Sequence, residues 1–170
     1  MEINNKKENK KESSCLTELK KEYEVYKKKY NLPNFEDINR LFDIEELDSE
    51  SDFLIRKIRR FMSEKLASYM RFVEVLLNPS NAPMFFFKLI KKLENSDKEE
   101  LSEIYEYLGK LEIQTITLDL DYNEEKEAEF INKLYKTFNE ETRGKLQNIL
   151  KKLSNGENGK AKDNGSSYFG

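Results

Sequence analysis

Apolar residues recur every three or four positions through most of the chain, which is the spacing of amphipathic helices. The sequence predicts five or six of them, with Leu32-Pro33 and Asn78-Pro79 acting as stops. The predicted helices are one starting at Cys15 or Leu16, a short one at 35–42, a long one at 52–77, one from Ser80 or Asn81 to about 95, one starting at Ser96, and a last long one at 124–153.

The segment 113–122, IQTITLDLDY, departs from this period because apolar and polar residues alternate along it. Alternation is typical of a half-buried strand, yet no second segment of the chain offers a strand to pair with. We therefore favour an extended connector packed across the helices. Pairing with its own copy in a dimer and a short continuation of the preceding helix are the alternatives.

These elements indicate an all-α fold, a bundle of five or six helices with two long helices as its frame and one extended connector. A single domain is expected at 15–153. The flanking segments 1–14 and 154–170 are polar or rich in Gly, Asn and Ser, and they are predicted to be disordered tails.

Ser96-Asp97-Lys98-Glu99 has the spacing of a capping box, in which a serine oxygen accepts the backbone N–H three residues on. The fifth helix is therefore expected to begin at Ser96. Its apolar face is predicted to hold Leu101, Ile104, Tyr105, Leu108 and Leu111.

The fourth helix carries a methionine and three consecutive phenylalanines, Met84 to Phe87. At about 100° per residue, Phe86 shares a face with Leu89, Ile90 and Leu93, while Phe85 and Phe87 lie on its flanks and Met84 on its back. The favoured interpretation places this helix across the long ones as the centre of the core. The alternative leaves some of these side chains exposed for a partner protein.

The first helix has a narrow seam of tyrosine and leucine resembling one face of a coiled coil. Together with the fourth helix it supplies the candidate interaction residues, which are Met84, Phe85, Phe87, Tyr23, Tyr26 and Tyr30.

Composition excludes several kinds of site. The chain has no histidine and a single cysteine, Cys15, so histidine-based nucleophilic sites, a structural zinc site and an internal disulfide cannot be built from it. No catalytic residue, cofactor or metal is predicted. With 37% charged residues, no apolar run of about 20 residues and no leader-like start, the chain is expected in the cytoplasm and not at a membrane.

Some charged residues fall on the apolar faces of the predicted helices. Lys65 falls inside the apolar stripe of the long helix, and Glu112, Glu124 and Glu127 also project toward apolar sides. We interpret these residues as part of a rim that reaches solvent rather than as an acid–base cluster.

The run RKIRR, 56–60, indicates a helix with many salt bridges, because acidic residues precede it and the isoelectric point is about 5.4. Nucleic-acid binding is not expected.

An enzyme alternative comes from an E-E-x-x-E spacing followed by two glutamates on a second helix: Glu99, Glu100, Glu103, Glu124 and Glu127. This spacing resembles the magnesium site of all-α nucleoside triphosphate pyrophosphohydrolases of the MazG type, which implies a magnesium-dependent hydrolase. Against it, Glu99 and Glu103 lie opposite Leu101 and Leu108, on the side expected to face solvent.

The segments LLNPSNAPMFFFKLIKKL, LEIQTITLDLDY and NEEKEAEFINKLYK resemble parts of a group of small, uncharacterised archaeal proteins, over roughly residues 32–153. The resemblance implies a small helical cytosolic protein and brings no activity. The preferred hypothesis is a non-enzymatic helical adaptor or oligomerising protein, with a protein partner or a second copy as its ligand.

Overall fold

The computed structural model of the protein describes residues 2–47, 53–81 and 83–155, and every regular element in these residues is helical. The predicted all-α fold is confirmed. The α-helices are α1 Glu2–Tyr30, α2 Phe35–Phe42, α3 Leu54–Leu77, α4 Met84–Ile90, α5 Asn95–Leu120, α6 Glu124–Thr137 and α7 Arg143–Ser154.

Helix α3 lies at the centre of the bundle, packed against α5 on one side and α6 on another. Its buried stripe includes Ile55, Ile58, Met62 and Leu66, which follow the helical period predicted for it. The core closes around this stripe with apolar side chains of α1, α2, α5, α6 and α7. None of the helices in the described residues is long and apolar enough to cross a membrane.

The predicted extended connector is wrong, because α5 runs without interruption to Leu120 and includes most of segment 113–122. Helical spacing accounts for the buried residues: Leu111 and Leu118 lie in the core, and Thr115 between them meets Ser63 of α3 at 3.1 Å. Ile113, Ile116 and Leu120 are on the outer side of the helix and exposed. Alternation arises because this part of α5 is apolar on two faces, not because it is a strand.

The N-cap of α5 lies two residues before its predicted place. The helix is capped by Glu94 and Asp97 rather than by Ser96 and Glu99, and the Glu94 backbone N–H donates to Asp97 Oδ2 at 3.0 Å. The Lys152 ammonium donates to Asp97 Oδ1 at 2.6 Å and lowers the pKa of that carboxyl. Asp97 takes the capping role predicted for Glu99 because its carboxylate both caps α5 and binds Lys152 of α7.

Helix α1 begins at Glu2 and not near Cys15, so residues 2–14 have a helical backbone where the sequence predicted a disordered tail. Their abundant Lys and Glu are good helix formers, which a prediction based on apolar content overlooks. At the other end α7 stops at Ser154, and residues 156–170 of the second predicted tail lie outside the described residues.

The last predicted helix exists as a continuous element, but its middle is wound differently. Residues Phe138–Thr142 form a π-helical segment between α6 and α7, and the Arg143 N–H donates to the Phe138 carbonyl. The segment keeps Phe138 and Thr142 in the core before α7 starts. Gly144 follows it and does not end the helix.

Candidate protein-interaction surface

Helix α4 presents its aromatic segment to the outside of the protein. The exposed fractions are 84% for Met84, 56% for Phe85 and 42% for Phe87, and no residue of α4 is fully buried. The favoured interpretation of α4 as the centre of the core is therefore wrong. Pro83 has an extended backbone and stands before the helix instead of inside its first turn, which leaves only two turns of helix.

One face of α4 attaches it to the bundle. Phe86 packs edge-on against Phe72 of α3 with ring centroids 6.5 Å apart, and Leu89 and Ile90 are partly buried beside it. Just after the helix Leu93 enters the core. The predicted inner face of α4 is correct. The sequence could not show that the side chains on its flanks, Phe85 and Phe87, remain largely exposed.

The polar residues of α4 and of the turn that follows it are basic. Lys88 and Lys91 are exposed next to Phe87, while Lys92 donates to the Leu153 carbonyl of α7 at 2.9 Å. We call the group formed by Met84, Phe85 and Phe87 the α4 surface. It combines exposed Met and Phe side chains, which are enriched at protein interfaces, with lysines beside them.

The three tyrosines predicted as interaction residues have different surroundings. Tyr23 is completely buried, donates to the Pro33 carbonyl at 2.8 Å and meets the ring of Phe35 edge-on, with centroids 5.4 Å apart. Burial raises the pKa of Tyr23. Tyr23 is a core residue and cannot form part of a surface.

Tyr26 and Tyr30 are half-buried and stack with nearly parallel rings, 6.5 Å between centroids. The Tyr30 hydroxyl donates to Glu124 Oε1 at 2.5 Å, and the Lys29 ammonium donates to the same oxygen at 2.8 Å, which lowers the pKa of Glu124. These contacts attach the end of α1 to the start of α6. The tyrosine seam thus serves mainly to dock α1.

A buried charge cluster joins α3 to α6. Arg59 and Glu127 are both fully buried, and the guanidinium donates to both carboxylate oxygens, at 2.5 Å from Nε and 3.1 Å from Nη2. Its Nη2 also donates to Asp119 Oδ1 at 2.7 Å, while its Nη1 has no acceptor in the residues that the structure describes. Burial of this pair is tolerable because each charge has a bonded partner.

Asp119 extends the cluster to the surface at the end of α5. Arg60 donates to its Oδ1 at 2.8 and 2.9 Å, and Arg56 donates to its backbone carbonyl at 3.1 Å. The Arg59 hydrogen bond, assisted by Arg60, lowers the pKa of Asp119 to about 2. The predicted salt-bridged helix at RKIRR is confirmed, and these arginines bind the protein's own acids.

Sequence reasoning missed the role of Arg59, although a signal existed. Ile55, Arg59, Met62 and Leu66 follow one another by four, three and four, so Arg59 lies on the apolar stripe. A charged residue on such a stripe needs a buried partner of opposite charge, and Glu127 on the apolar side of the last helix was the available one.

The remaining candidate acids do not meet. Glu103 pairs with Lys145 at 2.8 Å, Glu99 is exposed, and Glu124 and Glu127 bind cations on other elements. Within the described ranges, no three acids or thiols lie close enough to hold a metal ion. Lys65 reaches Asp43 at the edge of the bundle, as expected of a rim residue.

No protein-family model, curated protein or solved structure matches the chain. The resemblance to small archaeal proteins therefore stays a prediction, and function has to be inferred from the surface itself.

Proposed function

We propose that this chain is a non-enzymatic, helical protein-interaction protein whose partner binds the α4 surface. The observation that carries the proposal is the exposure of Met84, Phe85 and Phe87 on a helix attached by its opposite face. Neighbouring exposed apolar side chains often mark interaction sites, and Phe, Tyr and Trp contribute strongly to the energies of protein interfaces.

The chemistry of the partner follows from the rim of the α4 surface. Lys88 and Lys91 flank the exposed rings, so an amphipathic segment with apolar anchors and acidic neighbours fits best. Such a partner would place its apolar side chains on Phe85 and Phe87 and its carboxylates near the two ammonium groups.

A photo-crosslinking amino acid at position 85 or 87 tests the proposal in the cells that make the protein. We expect a discrete crosslinked adduct from both positions, since a bound partner lies within reach of both side chains. The matched control is position 25, because Val25 is also an exposed apolar residue but lies on α1.

Stability measurements on the same surface complete this test. Phe85→Ser should lower the free energy of unfolding by no more than about 1.5 kcal/mol, because the side chain is half exposed and its main ring contact is Phe86. It should also remove the adduct formed from position 87. An equal adduct from position 25, or no adduct from 85 and 87, would contradict the proposal.

Self-association is a second candidate, favoured by a different observation. Ile113, Ile116, Thr117 and Leu120 lie on the outer side of α5 at the i, i+3, i+4, i+7 spacing of a helix–helix seam. Two antiparallel copies related by a twofold axis between 116 and 117 would place Ile113 of each beside Leu120 of the other. Closed twofold pairing is the commonest arrangement of homo-oligomers.

For this seam we expect the purified protein to dimerise with increasing concentration in sedimentation equilibrium. Ile116→Lys should weaken the dimer by about tenfold or more, because it places two unpaired charges in the seam. Gln114→Lys adds the same charge to an exposed position beside the seam and should have little effect. A wild-type protein that stays monomeric at its solubility limit would rule out the seam.

A further inference from the structure

A pocket of about 280 Å³ opens between α2, α3 and α7. Its lining includes the aromatic side chains of Tyr69, Phe72 and Phe138. Its charged lining residues are Arg40, Lys65, Arg143 and one acid, Asp43.

The aromatic walls are held in place by the core and need no ligand to order them. Tyr69 and Phe138 stack with rings within 3° of parallel and centroids 5.7 Å apart. The Phe138 ring also packs against the ring of Phe42, which is fully buried, with 5.5 Å between the two centroids. A preformed apolar pocket with a few converging polar groups is the usual form of a small-molecule site.

The cations around the pocket are only partly neutralised. Lys65 pairs with Asp43, and Arg40 meets Asp37 at 3.4 Å. No carboxylate of the described residues pairs with Arg143, so the group has one uncompensated positive charge. Such a charge favours an anionic ligand over a neutral one.

The π-helical segment is what brings Arg143 to the pocket. In an α-helix, residues five apart project about 140° from each other, so Phe138 and Arg143 would face different sides. The wider turn bonds the Arg143 N–H to the Phe138 carbonyl and places one residue above the other. Both then line the same pocket. π-helical segments are rare, and those that occur are often found at functional sites.

We propose that this pocket binds a small carboxylic acid with an apolar body of roughly ten carbon atoms. A cavity of about 150 Å³ accommodates benzene, so 280 Å³ has room for a body nearly twice as large. The guanidinium of Arg143 offers paired donors that match a carboxylate, and the rings of Tyr69 and Phe72 cover the body. This site does not include Met84, Phe85 or Phe87 of the α4 surface, although Phe72 both lines the pocket and contacts Phe86 of α4.

Isothermal titration of the full chain with naphthalene-2-carboxylate tests the site. We expect saturable binding of one equivalent, and binding of the neutral naphthalene-2-carboxamide about tenfold weaker or more, because the amide lacks the charge that Arg143 recognises. Arg143→Gln should weaken binding of the acid by a similar factor and leave binding of the amide unchanged.

Two controls separate the pocket from general attraction to a basic or aromatic surface. Lys151→Gln removes a charge from an exposed position of α7 that does not line the pocket, and it should leave the affinity for the acid unchanged. Gln147→Trp fills the pocket from its α7 side and should abolish binding of both compounds, provided the melting temperature is retained.

NMR spectroscopy locates the bound compound. The methyl resonances of Leu146, which lines the pocket, should shift on titration. The proposal is overturned if neither compound saturates the protein, or if Arg143→Gln and Gln147→Trp proteins that remain folded bind as the wild type does. Shifts confined to Phe85 and Phe87 would also overturn it, since they would place the compound on the α4 surface.

Discussion

Replacing Glu127 with glutamine is expected to lower the free energy of unfolding by about 3–5 kcal/mol. The substitution keeps the size of the side chain but leaves the Arg59 guanidinium buried with only Asp119, at 2.7 Å, to compensate its charge. The cost comes from a fully buried guanidinium that keeps only one of its two charged partners, and not from a loss of packing volume. Chemical denaturation followed by circular dichroism would measure it.

Two further variants separate this cause from a general effect of removing an acid. Glu125→Gln removes an exposed charge from the same turn of α6 and should change stability by less than about 0.5 kcal/mol. The double variant Arg59→Met, Glu127→Met removes both charges, and it should recover most of the stability lost by Glu127→Gln. A double variant as unstable as the single one would contradict the explanation.

Tyr23→Ala is expected to lower the free energy of unfolding by about 3–5 kcal/mol. Tyr23 is completely buried, and its ring fills the space between α1 and Phe35 of α2. Truncation would leave a cavity and an unpaired Pro33 carbonyl. Thermal and denaturant unfolding would both report the loss, with the melting temperature falling by several degrees.

The neighbouring tyrosine gives the matched control for this core assignment. Tyr26 lies on the same helix but is only half-buried, so Tyr26→Ala should cost clearly less than Tyr23→Ala. Tyr23→Phe keeps the ring and loses only the hydrogen bond to Pro33, for which about 1 kcal/mol is expected. Equal effects of the two alanine variants would contradict the assignment of Tyr23 to the core and of Tyr26 to its edge.

Much of the fold could be predicted from apolar spacing. Helices α2, α3 and the α6–α7 element occur close to where the pattern placed them, since each has a stripe that only burial against other helices can satisfy. Apolar spacing gave a wrong prediction for 113–120, where the helix has apolar residues on two sides. Alternation and a two-faced helix give the same local pattern, and only the partners of Leu118 and Thr115 distinguish them.

The candidate sites were less predictable than the fold. The orientation of Phe86 relative to Phe85 and Phe87 followed from the helical wheel, yet the wheel does not say whether another element covers the flanks. The pairing of Arg59 with Glu127 joins residues 68 apart in the chain, a distance over which no local pattern extends. The π-helical turn at 138–142 has no signature in the apolar spacing.

The sequence by itself determined the all-α class, the inner faces of most helices and the absence of histidine-based chemistry, because these depend on composition and on contacts within three or four residues. Tertiary structure alone decided which apolar side chains remain exposed on α4 and α5, which carboxylate neutralises Arg59, and how Arg143 comes to face an aromatic pocket. Exposure and charge pairing are properties of elements distant in sequence, and they exist only once those elements are packed together.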